Sequence, residues 1–179
     1  MSKLETNTID TVSGTTNLVI GSTNSSTVTF ENGAVTGHNY PAFLVTLSSN
    51  QTIASGSSVK IQLDSEVYDT DNAFDNSTNY RFTVPSGKAG KYVFHLSGRT
   101  DIATSTIAYA FVKKNDTLIA RSFQSVAKSN GSTSVYLNAS VVTNLVAGDY
   151  IELFIFQNSG SNQLAYADYC SLAGYRIGA

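Results

Sequence analysis

A single cysteine, Cys170, occurs in 179 residues, so no internal disulfide can form and the fold must rest on packing. Charge is almost as scarce. With 11 Lys plus Arg against 13 Asp plus Glu, charged residues make up 13% of the chain and the net charge is -2, where about a quarter is usual. There is no basic field of the kind that binds nucleic acid or an anionic membrane. No run of about 18 apolar residues occurs, so insertion into a bilayer is not expected. Residues 1–10 are polar and lack the apolar centre of a signal peptide, which predicts a chain not exported by that route.

Ser, Thr and Asn together supply 59 residues, close to a third of the chain, so hydroxyls and amides must clothe the surface. Hydrophobic residues still reach 41%, with 10 Tyr and 9 Phe, which excludes intrinsic disorder. Val, Thr, Tyr, Phe and Ile outweigh the good helix formers, which favours an all-β chain. Six Asn-x-Ser/Thr triplets follow from the Asn and hydroxyl content and are not read as glycosylation signals. At this length one core is expected.

Two regions differ in texture. Residues 1–39 hold only short apolar triplets, Leu18-Val19-Ile20 and Val28-Thr29-Phe30, around the turn-prone Gly21 to Ser26. This segment cannot bury a core alone and reads as an N-terminal anchoring arm that docks on something else. Residues 40–179 read as a head domain of short strands separated by Gly, Ser and Asn clusters, the pattern of a β-sandwich. The expected strands are Ala42–Leu47, Val59–Leu63, Tyr80–Val84, Lys91–Ser97, Ser105–Lys113, Thr117–Ser122, Ser134–Val141, Tyr150–Gln157 and Leu172–Ile177.

Three of these strands are apolar on both faces. Ile151, Leu153 and Ile155 alternate with Glu152, Phe154 and Phe156; Ile107 to Val112 and Ala42 to Leu47 behave likewise. A single sandwich core cannot bury both faces of all three. Either a subunit interface or a covering arm or loop is implied, and Phe43, Tyr109, Phe111, Phe154 and Phe156 are the expected interface residues.

The run Phe74-Asp75-Asn76-Ser77-Thr78-Asn79-Tyr80-Arg81-Phe82-Thr83-Val84-Pro85, followed by Gly90-Lys91-Tyr92-Val93-Phe94, resembles the central signature of the complement component 1q globular head. Phe111 to Asp116, Leu145-Val146-Ala147-Gly148-Asp149-Tyr150-Ile151-Glu152-Leu153 and Ser171-Leu172-Ala173-Gly174-Tyr175 resemble later motifs of that family, in the same order. Leu172 stands where the family usually has an aromatic residue, and Asn115-Asp116 lacks the family's Gly. The resemblance implies a jelly roll of about ten strands that forms a homotrimer, as in the related tumour necrosis factor superfamily. Within the motifs, Gly148-Asp149 suits a tight turn and Gly174 suits close backbone approach. A Ser/Thr/Asn-rich chain with an arm ahead of this fold is also similar to modules of bacteriophage virions. That likeness implies a structural protein on the virion surface, contacting other virion proteins through residues 1–39. The alternative is a tail-fibre or spike tip that recognises a host-surface glycan.

No constellation for enzymatic catalysis is legible. His38 and His95 read as structural or exposed, and Cys170 as a buried inert thiol. Five of the 13 acids fall between Asp64 and Asp75. Within that group Asp69, Asp71 and Asp75 carry the hard oxygens that calcium takes, although a solvated acidic loop explains them equally; no other cofactor is expected. Tyr68, Tyr136 and Tyr166, near turns or on polar faces, are candidate glycan contacts, with Tyr40 nearby; Trp, the commonest ring platform for sugars, is absent.

Overall fold

The computed structural model describes residues 40–102, 106–121, 124–125 and 133–178; the expected arm, residues 1–39, lies outside them. In chain order the strands are β1 (Ala42–Thr46), β2 (Gln51–Ile53), β3 (Ser57–Lys60), β4 (Ser65–Asp69), β5 (Phe74–Asp75), β6 (Arg81–Thr83) and β7 (Gly90–Ile102). They continue as β8 (Ile107–Lys114), β9 (Thr117–Arg121), β10 (Gln124–Ser125), β11 (Thr133–Leu145), β12 (Tyr150–Gln157), β13 (Gln163–Ala165) and β14 (Ser171–Gly178). One 3-10 turn, Ala167–Tyr169, precedes β14, and no α-helix occurs among the described residues.

A five-stranded sheet runs β11-β7-β14-β1-β4, and a seven-stranded sheet runs β10-β8-β12-β6-β5 with β3 beside β12 and β9 beside β8. All pairings are antiparallel. The architecture is the all-β jelly-roll sandwich expected from the sequence.

Alternation decides which residues meet between the sheets. Tyr92, Phe94, Leu96, Thr100 and Ile102 of β7 are buried, as are Leu172 and Gly174 of β14 and Val135 and Leu137 of β11. Opposite them, the seven-stranded sheet contributes Ala108, Ala110, Val112, Ile151, Leu153 and Ile155. At one end the core is aromatic: Phe43 stacks on Phe82 with centroids 4.8 Å apart, and Phe74 and Phe94 lie 5.3 and 6.2 Å from Phe43. Gly174 makes room for this cluster, since a Cβ there would fall 2.5 Å from Phe94 Cδ1 and 2.7 Å from Phe43 Cε1.

Both expected turn devices are present. Gly148 adopts φ +88°, and the Asp149 carboxylate accepts the Val146 N–H at 2.8 Å, closing the turn into β12. At the β8–β9 hairpin, Asn115 and Asp116 both take positive φ, 47° and 64°, which is the backbone a two-residue hairpin turn requires. The Asn115 side chain anchors the turn: its Nδ2 donates to Asp149 Oδ1 at 2.7 Å and its Oδ1 accepts from Tyr150 N at 2.9 Å.

Strand extents differ from expectation: β3 spans Ser57–Lys60 rather than Val59–Leu63, and β11 runs past Val141 to Leu145. β7 continues past Ser97 to Ile102 because Thr100 and Ile102 keep the inward alternation through polar sequence. Gly98 fits there because a Cβ would meet Ile155 Cδ1 at 2.9 Å. β2, β4, β5, β10 and β13 were not expected; each is short, and β4 is a mostly exposed edge strand whose sequence, Ser65-Glu66-Val67-Tyr68-Asp69, shows no buried period.

Candidate functional site

The five expected interface aromatics fall into two groups. Phe43 points between the sheets and is 1% exposed, enclosed by Phe74, Phe82 and Phe94. It is a core residue, and its assignment to an interface is corrected. The other four form a ladder on the outer side of the seven-stranded sheet, with Tyr109 stacked on Phe156 at 4.9 Å and Phe111 on Phe154 at 5.4 Å. Lys113 Nζ caps this ladder 4.4 Å from the Phe154 centroid, and Glu152 pairs with Lys60 at 2.8 Å. Phe111 is 5% and Phe154 9% exposed within one chain, so little of either remains for a second subunit to cover.

The open apolar surface lies on the other sheet. Strand register places Val142, Val93, Tyr175 and Ala42 in one outward row, and Ser140, His95, Ala173, Leu44 and Tyr68 in the next. Asn138, Ser97, Ser171 and Thr46 form a third row, and Tyr136 sits opposite Arg99 beyond it. Val142 is 62%, Tyr136 50%, Ile177 49% and Tyr175 45% exposed. The sheet thus shows water a broad surface of apolar and small hydroxyl side chains carrying few charges. Two shallow hollows mark it, one of 350 Å³ walled by Tyr136 and Tyr169 and one of 460 Å³ beside His95 and Ser140.

At the β7–β11 end of this face, Arg99 gathers three tyrosines. Its guanidinium lies 4.1 Å from the Tyr166 ring centroid, 5.0 Å from that of Tyr169 and 5.9 Å from that of Tyr136. Tyr166 donates to Asp101 at 2.6 Å, and this bond holds its phenol protonated above the ordinary range. Of the candidate glycan residues, Tyr136 and Tyr166 therefore belong to one cation–aromatic cluster, while Tyr68 lies on β4 at the opposite edge of the sheet. The structure does not bring the three together.

Asp69, Asp71 and Asp75, the candidate calcium ligands, do not converge on one position among the described residues. Asp69 accepts the backbone N–H groups of Asp71 and Phe74, at 3.1 and 2.7 Å. Asp71 takes the Thr70 hydroxyl at 2.8 Å and faces Lys88 at 3.6 Å. Asp75 accepts from the backbones of Ser77, Thr78 and Asn79. Each carboxylate serves its own loop, and among the described residues no group of three or more His, Cys, Asp or Glu converges to hold a metal.

Burial raises the Cys170 thiol pKa, which leaves little thiolate for nucleophilic chemistry. His95 Nδ1 lies 2.7 Å from Ser140 Oγ, and its ring stacks on Tyr175 at 6.3 Å. Among the described residues no carboxylate bonds the other ring nitrogen to orient the imidazole as a base.

No protein-family model and no curated protein sequence matches the chain. Among solved structures, the globular domain of the zebrafish complement 1qA protein is similar at a TM-score of 0.53 and 18% identity, over 76% of this chain and 97% of that one. Murine APRIL at pH 5.0 is similar at a TM-score of 0.57 and 14% identity, over 78% and 100%. Eiger TNF from S. frugiperda gives 0.50 and 11%, over 78% and 92%. At these identities the likeness is one of fold: the chain is a jelly roll of the complement 1q and tumour necrosis factor type.

Proposed function

We propose that the chain is a non-enzymatic, homotrimeric knob on a virion surface, of the bacteriophage head-decoration type, anchored through residues 1–39. The observation that carries the trimer is the outward face of the five-stranded sheet, where Val142, Tyr175, Ile177 and Tyr136 stand exposed on one surface. Soluble monomers rarely leave apolar patches of this kind uncovered. A threefold ring closes by joining one surface of each copy to a different surface of the next, so an exposed sheet face can meet a neighbour's edge without self-complementarity. The interface accordingly moves from the aromatic ladder of β8 and β12 to the face of β11, β7, β14 and β1. The hydroxyl-rich, weakly charged composition suits a protein that spends its life packed in an assembly. Imaging of particles that carry the chain should find its copies on the outer surface in groups of three; recovery only as free protein contradicts the virion role.

A second reading, the receptor-recognising tip of a fibre or spike, is favoured by a polar cleft on a different part of the domain. In such a tip threefold symmetry would multiply a weak contact by avidity.

A further inference from the structure

At the margin of the sandwich, where residues 61–64 pass from β3 in one sheet to β4 in the other, a cleft of 280 Å³ opens. Asn50, Thr52, Gln62, Asp64 and Tyr80 are among the residues that line it. None of its lining residues belongs to the outward rows of the five-stranded sheet. Its volume falls just below the range of about 300–1,000 Å³ that drug-sized ligands occupy, which is the scale of a single sugar residue.

The walls are braced from behind while their inner groups stay unpaired. Gln51 ties them together, donating to Lys60 O at 2.8 Å and accepting from Gln62 N at 2.9 Å. Asn50 Oδ1 accepts the Ala167 N–H at 3.0 Å, which fixes the amide and leaves its Nδ2 as a donor. Asp64 is held by Ser48, whose N–H and hydroxyl reach its two oxygens at 2.8 and 2.7 Å. Burial acts to raise the Asp64 carboxyl, but these bonds outweigh it and keep the group ionised, and each oxygen retains a further lone pair. The Gln62 amide and the Tyr80 and Thr52 hydroxyls have no bonding partner within the described residues.

Tyr80 is also set deliberately. Its φ is +51°, a backbone state that costs an aromatic L-residue folding free energy. The preceding turn imposes it: Asp75 gathers the backbones of Ser77, Thr78 and Asn79, and Lys60 Nζ holds Asn79 O at 3.2 Å.

We propose that this cleft binds a neutral saccharide, with the sugar ring against Tyr80 and its hydroxyls shared among Asn50 Nδ2, the Gln62 amide and the Asp64 carboxylate. The chemistry selects the class. Amides and a carboxylate bond vicinal hydroxyls as donor and acceptor together, and the tyrosine ring receives the C–H face of a sugar. No Lys or Arg is among the described residues that line the cleft, so phosphates, sialic acids and uronic acids would meet only the Asp64 charge. An apolar ligand would strand the amides unpaired. The inference deepens the recognition reading and does not depend on the trimer.

The test is a glycan array carrying neutral and sialylated or uronate-containing saccharides, probed with the full chain, followed by calorimetric titration of the best neutral ligand. Neutral glycans should bind. Tyr80→Gly, which removes the ring and relieves the backbone, and Gln62→Ala should each weaken binding by at least about tenfold, the loss of one good contact. Binding to none of the neutral glycans, preference for the anionic ones, or indifference to both Gln62→Ala and Tyr80→Gly overturns the proposal. Should Tyr80→Gly fail to give a cooperative melt, Gln62→Ala on the exposed wall decides. Light scattering on the same sample keeps the outcomes distinct: a monomer that binds the sugar contradicts the trimeric knob alone, and a trimer that binds none contradicts the cleft alone.

Discussion

Asp75 holds Asn79 twice, accepting its side-chain N–H at 2.7 Å and its backbone N–H at 3.0 Å. With Ser77 and Thr78 also bonded to the same carboxylate, the ionised form is strongly favoured in the folded chain. The backbone N–H groups of Thr78 and Ser77 are the leading causes that hold Asp75 far below the usual carboxylate range. Asp149 is lowered too: burial works against it, and the Lys114 ammonium at 2.8 Å, Val146 N–H and Asn115 amide outweigh burial.

Both carboxylates have folded-state pKa values below their unfolded ones, which sets the sign of the pH dependence. Their stabilisation is complete above the ordinary Asp value of about 3.9 and is lost as pH falls through the folded values. The melting temperature should therefore hold steady from neutral pH to about pH 5 and decline toward about pH 2. Asp75→Asn should melt lower at neutral pH and show a shallower acid decline. Thermal melts across this range check it; an unchanged acid slope in the variant would contradict the capping role.

Gly174→Val should destabilise by at least about 1–3 kcal/mol, because the added atoms meet Phe94 and Phe43 in a close-packed core. Denaturant unfolding measures this. A variant as stable as the parent would mean that the β14 backbone and the two rings do not approach as described.

Phe43→Ala should cost about 3–5 kcal/mol, as for a large ring deleted from a core. Phe156→Ala, on the half-buried outer ladder, should cost about 1–2 kcal/mol. Comparable losses from the two would contradict the placement of Phe43 between the sheets.

Where sequence and structure agree, a residue's own chemistry decides its conformation. Gly148-Asp149 forms a turn because glycine accepts positive φ and the aspartate carboxylate accepts the Val146 N–H, and Gly174 admits two rings that no side chain would. Alternation likewise groups Tyr92, Phe94 and Leu96 on one face. Period two, however, does not tell which face looks inward: Phe43 and Leu44 are both apolar, and only the pairing of β1 with β14 and β4 turns Phe43 to the core and Leu44 outward. Nor does spacing show what a carboxylate bonds, so Asp69, Asp71 and Asp75 read as ligands although their own loop satisfies them. The saccharide cleft joins residues 50–52, 62–64 and 80, which only the crossing between sheets brings together, and no local pattern marks it. Its clearest trace is indirect: Asp75-Asn76-Ser77-Thr78-Asn79 is turn sequence, and Tyr80 is its end.

A homotrimer requires that the open face of β11, β7, β14 and β1 be covered by a second and third copy of the chain. Multi-angle light scattering of the purified full chain, beside Val142→Arg and Tyr175→Arg, tests this most directly. The parent should be a single species of three times the 19.1 kDa chain mass, and each variant, its charge placed on an exposed position and so harmless to the fold, should shift to monomer while still melting cooperatively. A monodisperse 19.1 kDa parent, or variants that remain trimeric, would contradict it.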